Sequence, residues 1–267
     1  MTALATTIDS IRARRSGHAA LLCVGALALV SLLPSAASGQ GHAWEIELEG
    51  GAVWQTTNDV RIPNDASATR FSLSDLIGGG PWAAGRLYIT WNASDRHGLR
   101  LLAAPLTVSG TGTPSAPLSF AGEDYLADVP ADATYTFDSY RLSWRYRVHE
   151  GASTTAWIGF TAKIRDAVTA LEQGDRSSEK TNVGFVPLLH LAGDWRFAPR
   201  WTASLDVDAL AGGPGRAEDV ALELGYDLSD RFTLQAGYRT VEGGADVDEV
   251  YAFAWLHYAT MSVVWRP

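Results

Sequence analysis

Cysteine is almost absent. The 267-residue chain has one, Cys23, inside an apolar stretch near its N-terminus, so no disulfide can form within the chain and no thiolate chemistry is available beyond that stretch. A long apolar run is lacking as well. The longest, residues 19–33, has fifteen residues, short of the ~20 that cross a hydrocarbon core as a helix. Basic residues are the minority, 21 against 30 acidic for a formal net charge of −9, which argues against nucleic acid as a partner. Two ligand motifs are missing too. Gly78-Gly79-Gly80 is followed by Pro81 and Trp82, without the Lys-Ser or Lys-Thr of a phosphate cradle, so a loop hinge is expected. The loop acids Asp246, Asp248 and Glu249, like Glu123, Asp124, Asp128 and Asp132, do not have EF-hand spacing and are expected to be solvated. No cofactor and no bound metal is expected.

Residues 1–39 are expected to be a cleaved export signal. Arg12, Arg14 and Arg15 make its basic start, residues 19–33 its apolar centre, and Pro34-Ser35-Ala36-Ala37-Ser38-Gly39 the small residues before cleavage after Ala37 or Gly39. Leu22 before Cys23 argues against lipidation. Residues 40–267 would then form one domain with 18 basic and 29 acidic residues, a formal net charge of −11.

From Trp44 to Trp265 the chain alternates apolar and polar residues. In the first segment Trp44, Ile46, Leu48, Ala52 and Trp54 share one parity, and Glu45, Glu47, Glu49 and Gln55 the other. Ten residues separate the two tryptophans, about 33 Å along a strand and roughly 25 Å of bilayer once the strand tilts near 40°. Segments near 82–93, 134–148, 155–165, 183–197, 201–208, 220–227 and 232–239 repeat the pattern. Segment 99–108 is less regular because Leu99, Leu101 and Leu102 blur its phase. In the last segment, taking Phe253, Trp255, Met261, Val263 and Trp265 as outward also turns His257 to lipid, a conflict that a bulge there would resolve.

The connectors alternate long and short: about 26 residues, then 94–98, 109–132, 149–153, 166–182, 198–200, 212–218, 229–230 and 241–249. A ten-stranded antiparallel up-and-down transmembrane β-barrel is expected, all-β, with both ends of the barrel domain on the side of the short turns. A soluble sandwich or lipocalin-like barrel has the same period of two, but no reason to alternate its loops.

With these strands, the signal segment and the C-terminal stretch ending Met261, Val263 and Trp265, the chain resembles the small outer-membrane β-barrel proteins of Gram-negative bacteria. The resemblance implies an outer-membrane location, contact with lipid and lipopolysaccharide, and recognition of the last strand by the barrel-assembly machinery. Arg266 and Pro267 after the terminal aromatic depart from the family pattern. Some barrels of this kind are enzymes. Proteases of the group carry Asp–His and Asp pairs at the outer rim, whereas the histidines after residue 39 are His42, His97 and His149 near the terminal side and His190 and His257 within strands. Lipid-cleaving barrels place a Ser two residues from a strand His, and here Ala259 stands at that place. A non-enzymatic role is therefore expected, with a lipid-modifying or proteolytic barrel enzyme as the alternative.

The barrel interior is the candidate site. The inward parity sends Arg86, Arg100, Arg141, Arg145, Arg147, Lys163 and Arg165 from strands two to five. It sends Asp194, Asp206, Asp208, Glu223, Asp227, Glu45, Glu47 and Glu49 from strands six to eight and one; His190 and Arg239 also face in. One wall is basic and the other acidic. Ten strands enclose a narrow lumen, so two arrangements are open. Interlocked ion pairs fill it in a structural barrel, or a constricted, porin-like path admits a small polar solute.

Overall fold

The computed structural model describes residues 43–213 and 215–267; the expected signal segment 1–39, its expected cleavage point and His42 lie outside them. The elements are β1 (Trp44–Arg61), β2 (Phe71–Ser72), α1 (Leu73–Ile77), β3 (Trp82–Asn92), β4 (His97–Ala104), β5 (Thr107–Gly112), β6 (Leu118–Phe120), β7 (Glu123–Tyr125), β8 (Ala131–Glu150), β9 (Thr154–Gln173), β10 (Arg176–Ala198), β11 (Trp201–Gly212), β12 (Gly215–Asp227), β13 (Phe232–Val247) and β14 (Val250–Trp265). Each wall strand pairs antiparallel with the next, and β14 returns to β1 from Ile46↔Trp265 to Arg61↔Tyr251. The wall has ten staves, because β4 and β5 both lie along β8 as one strand interrupted at Pro105. Proline has no amide hydrogen for the ladder, and Asp138 Oδ1 accepts instead from the Leu106 amide at 3.1 Å. From Ile46 to Val53, β1 pairs with β14 on one side and β3 on the other, so the ladder closes on itself there, as a hydrocarbon surrounding requires.

The two parities take the faces that the pattern demanded. Leu142 is 47% exposed and Trp144 38%, while Ser143 between them is 2% exposed and Arg141 before them 5%. Leu48, Leu101, Phe160, Leu191, Leu222 and Met261 also point out, so the greasy surface is the outer one and the barrel is transmembrane. Aromatic side chains bound it at both ends. Near the chain termini Trp44 stacks on Trp91 at 5.9 Å and Trp201 meets Tyr226 at 4.8 Å; towards the other end Trp54, Tyr140, Phe185, Tyr238 and Trp255 are exposed. Segment 99–108 obeys the same rule, with Leu99 and Leu101 outward and Leu102 buried inside against Tyr88 and Ala104.

Several expected connectors are strand. β9 and β10 meet at residues 174–175, β11 and β12 at 213–214, and β13 and β14 at 248–249, where loops 166–182, 212–218 and 241–249 were expected. These staves continue past the apolar band into water. With solvent outside, their outer face is polar, and the alternation that marks a lipid-facing strand disappears from the sequence while the hydrogen-bond ladder continues. The last segment needs no bulge either: Trp255 to Val263 alternate without a break and His257 does face out. The bulge lies in β1, between Gln55 and Thr57.

The two long connectors near the first strands fold into the lumen. Residues 62–81 carry β2 and α1, which Ser72 caps by accepting the Asp75 amide at 3.1 Å. Residues 113–130 carry the hairpin β6–β7. Leu73, Leu118, Phe120 and Tyr125 from these connectors pack on Val53, Val60, Val108, Tyr135, Leu171, Val241 and Leu256 of the wall. A dry apolar cap therefore fills the barrel at the loop end. The close approach depends on glycine at Gly112, where a Cβ would overlap the Leu76 carbonyl.

Candidate functional site: the ion-paired layer and the vestibule

Beneath the cap the inward parity turns polar. Asp219 on β12, 3% exposed, is the hub. Its Oδ2 accepts from Arg86 Nη1 at 3.0 Å and Arg141 Nη2 at 2.6 Å, and its Oδ1 from Arg239 Nη1 at 2.8 Å. Glu49 takes the other side of Arg239 at 2.8 Å and lies 3.4 Å from Arg86. Asp208 accepts from Arg141 at 2.9 Å and Thr161 at 2.7 Å and pairs with His190 Nδ1 at 2.9 Å. Arg100 grips Asp206 with both terminal nitrogens, at 2.7 and 2.9 Å. The carboxylates come from β1, β11 and β12 and the guanidiniums from β3, β4, β8 and β13. Arg86 and Arg141 reach Asp219, Arg141 reaches Asp208 and Arg100 reaches Asp206 across the lumen, whereas Arg86–Glu49 and Arg239–Asp219 join neighbouring strands. Burying such charges is costly unless each finds a partner with good geometry, and these do. Of the two interior arrangements, the interlocked one is present in this layer.

The remaining site residues lie around the layer. Lys163 sits under the cap with its ammonium 4.8 Å from the Phe137 ring centre, and Arg165 hydrogen-bonds Asn182. Towards the terminal end Glu45 pairs with Arg266 at 2.8 Å, Asp227 with Arg196 at 3.4 Å and Arg147 with Glu150 at 2.7 Å. Asp194, Glu47, Glu223 and Arg145 face an open space below the layer. The sequence reading missed Asp219, along with Tyr88 and Tyr258, whose rings carry Arg100 at 5.3 Å and Arg86 at 5.2 Å. Asp219 shares the parity of Glu223 and Asp227, and extending strand eight by one residue would have found it.

One metal-like grouping falls inside the layer. His190, Asp206 and Asp208 bring one ligand atom each within 4.8 Å of one another, but their carboxylates are engaged by Arg100 and Arg141, leaving a cation no free oxygen set.

The open space is a vestibule of about 610 Å³. Residues 151–155, Arg200, Asp230 and Arg266 line its mouth at the terminal end, and the ion-paired layer with Arg100 and Asp206 forms its roof.

On the outer surface His257 is not an idle girdle residue. Its Nδ1 lies 2.5 Å from Tyr238 Oη, and its Nε2 lies 3.0 Å from Oγ1 of Thr56, the bulged residue of β1. Both ring nitrogens are thus satisfied where lipid would otherwise meet a bare imidazole.

No family model and no curated protein matches the chain. Among solved structures it is similar to the outer membrane protease OmpT from Escherichia coli, with 10% identity over 86% of this chain and 99% of that chain and a TM-score of 0.47. It is also similar to Neisserial surface protein A, with 11% identity, 86% and 100% coverage and a TM-score of 0.40. A third is the translocator domain of autotransporter NalP from Neisseria meningitidis, with 12% identity, 95% and 98% coverage and a TM-score of 0.41. Similarity so distant carries no argument about activity.

Proposed function

We propose that the protein is a non-enzymatic outer-membrane barrel with a closed lumen, exported through its N-terminal segment, its loop end outside the cell and its vestibule open to the periplasm. Its role is structural, in contact with outer-leaflet lipopolysaccharide, and its last strand is the element read by the barrel-assembly machinery. The observation that carries this reading is the double closure of the lumen: an apolar cap around Phe120 and Leu171 stands directly above the ion-paired layer around Asp219. A porin-like path needs continuous water, and a dry plug offers a solute no replacement for its hydration shell. Purified protein in planar bilayers is expected to give no single-channel steps. Reproducible steps from the unaltered protein would overturn the closed reading in favour of the porin-like one.

A second reading, a lipid-modifying enzyme, is favoured by the Thr56–His257–Tyr238 array. It sets a hydroxyl, a base and an orienting group in hydrogen-bond sequence on the lipid face. Against it, Tyr238 is neutral where a carboxylate would stabilise an imidazolium. Mass analysis of lipid A with and without the protein decides: an acyl chain lost only when His257 is present establishes the enzyme, and unchanged masses discard it.

A further inference from the structure

We propose that the vestibule is a binding site, entered from the terminal end, for a small molecule with more than one ammonium group and one carboxylate: a basic amino acid or a short basic peptide. Its volume of about 610 Å³ lies within the range of about 300–1,000 Å³ typical of small-ligand sites. Its roof is closed, so a molecule that enters is held rather than passed on.

The chemistry follows from which charges in the lining are already satisfied. Asp206, Glu45 and Asp227 have arginine partners. Glu47 and Asp194 make no ion pair among the described residues, and Glu223 has only Arg239 at 3.8 Å, a guanidinium already held at 2.8 Å by both Glu49 and Asp219. Opposite in sign stands Arg145, which makes no ion pair among the described residues and is steadied by the Trp157 ring at 4.8 Å.

Two buried atoms of this set, Glu47 Oε1 and Arg145 Nε, have no hydrogen-bond partner. Buried polar atoms left alone are costly, and such orphans mark places where a ligand or solvent belongs. Glu47 and Glu223 bring one oxygen each within 4.8 Å of one another and of Glu49; Arg239 and Arg86 already hold Glu49, so Glu47 and Glu223 are the acceptors left for the hydrogens of an ammonium group. In the inner lining Glu47, Asp194 and the weakly held Glu223 stand against Arg145, while at the mouth Arg200 and Asp230, of opposite sign, also make no ion pair among the described residues and offset one another. A matching ligand therefore carries net positive charge together with a single anionic group for Arg145. A bare divalent cation would leave Arg145 unmatched, and a simple diamine would do the same.

The test is calorimetric titration of the full-length mature barrel in neutral detergent with L-lysine, 1,5-diaminopentane, L-glutamate and Mg²⁺. 1,5-Diaminopentane is lysine without its carboxylate. Lysine is expected to bind, the diamine at least about tenfold more weakly because one charge-assisted contact is lost, and glutamate not at all. Arg145→Gln is expected to abolish the preference for lysine over the diamine, and Glu47→Gln to weaken both about tenfold. The comparison of lysine with the diamine needs no variant, so it stands even if a substitution prevents folding. Absence of lysine binding, equal binding of lysine and the diamine by the unaltered protein, or Mg²⁺ as the sole binder would each overturn the proposal.

Discussion

The same staves enclose opposite chemistries at their two ends. In the lipid-wrapped half the inward positions are Ser143, Arg141 and Ser139 on β8, Thr161 and Lys163 on β9, and Ser262 and Thr260 on β14. In the loop half the same parities bring in Tyr135, Ala133, Leu171 and Leu256. Neither the strand nor its register changes between the two; the surroundings do. Where lipid lies outside, apolar side chains gain nothing by turning in, and the interior can hold ions. Where water lies outside, burial of apolar area again stabilises the fold, and the interior becomes an ordinary dry core. The polar layer and the apolar cap are two answers to one question, namely which side of the wall is drier.

The largest effect should come from removing the hub of the polar half. Asp219→Ala leaves Arg86, Arg141 and Arg239 short of one shared counter-charge, and breaking a buried pair costs about 3–5 kcal/mol. Urea unfolding followed by tryptophan fluorescence reads it, and a loss below about 1 kcal/mol, the size of an exposed pair, would mean that water screens the layer. Phe120→Ala strikes the apolar half, where a large-to-small change at a buried aromatic costs about 3–5 kcal/mol. Membrane insertion, scored by heat-modifiable migration, should survive it because the cap lies outside the lipid band; failure to insert would merge the two regions into one folding unit. Met261→Arg places a charge on the lipid face, at a cost of about 2–4 kcal/mol if Met261 sits at mid-bilayer. A cost near zero would put Met261 outside the lipid band.

The smallest effect concerns pH at the loop end. The Ser67 hydroxyl and amide donate to Asp65 Oδ1 at 2.5 and 2.8 Å and hold its carboxyl below the usual value. A depressed folded pKa means the tether is complete above the unfolded value of about 3.9 and weakens as pH falls through the folded one. Protection of the Ser67 amide, its exchange rate relative to the intrinsic rate at each pH, should therefore hold at neutral pH and fall only below about pH 4; loss of protection between pH 7 and 5 would rule the tether out.

Much of the wall was legible from residue types alone. Glu45, Glu47 and Glu49 against Ile46 and Leu48, or Arg141 and Arg145 against Leu142 and Trp144, fix which face meets lipid without any contact being known. The strand extensions were not legible, because the outer face of residues 166–182 and 212–218 no longer carries the large apolar side chains that mark a lipid-facing strand. That loss hid Asp219, which lies at the border where the pattern begins. Thr56 was equally hidden as a partner of His257: the bulge that turns it outward is a property of pairing with β14, and no spacing within β14 announces a hydroxyl donated from β1.

Residue order by itself determined the period of two, and with it the greasy exterior, the charged interior and the sides on which basic and acidic groups begin. Which charge meets which, how the long connectors fill the lumen and how Glu47 and Arg145 come to line one vestibule without ion pairs among the described residues were decided only when the sheet closed. The physical reason is range. Facing is set by neighbours one residue away, whereas Arg86 and Asp219 stand 133 positions apart and become partners only because a closed wall brings opposite staves together across a narrow, poorly hydrated space.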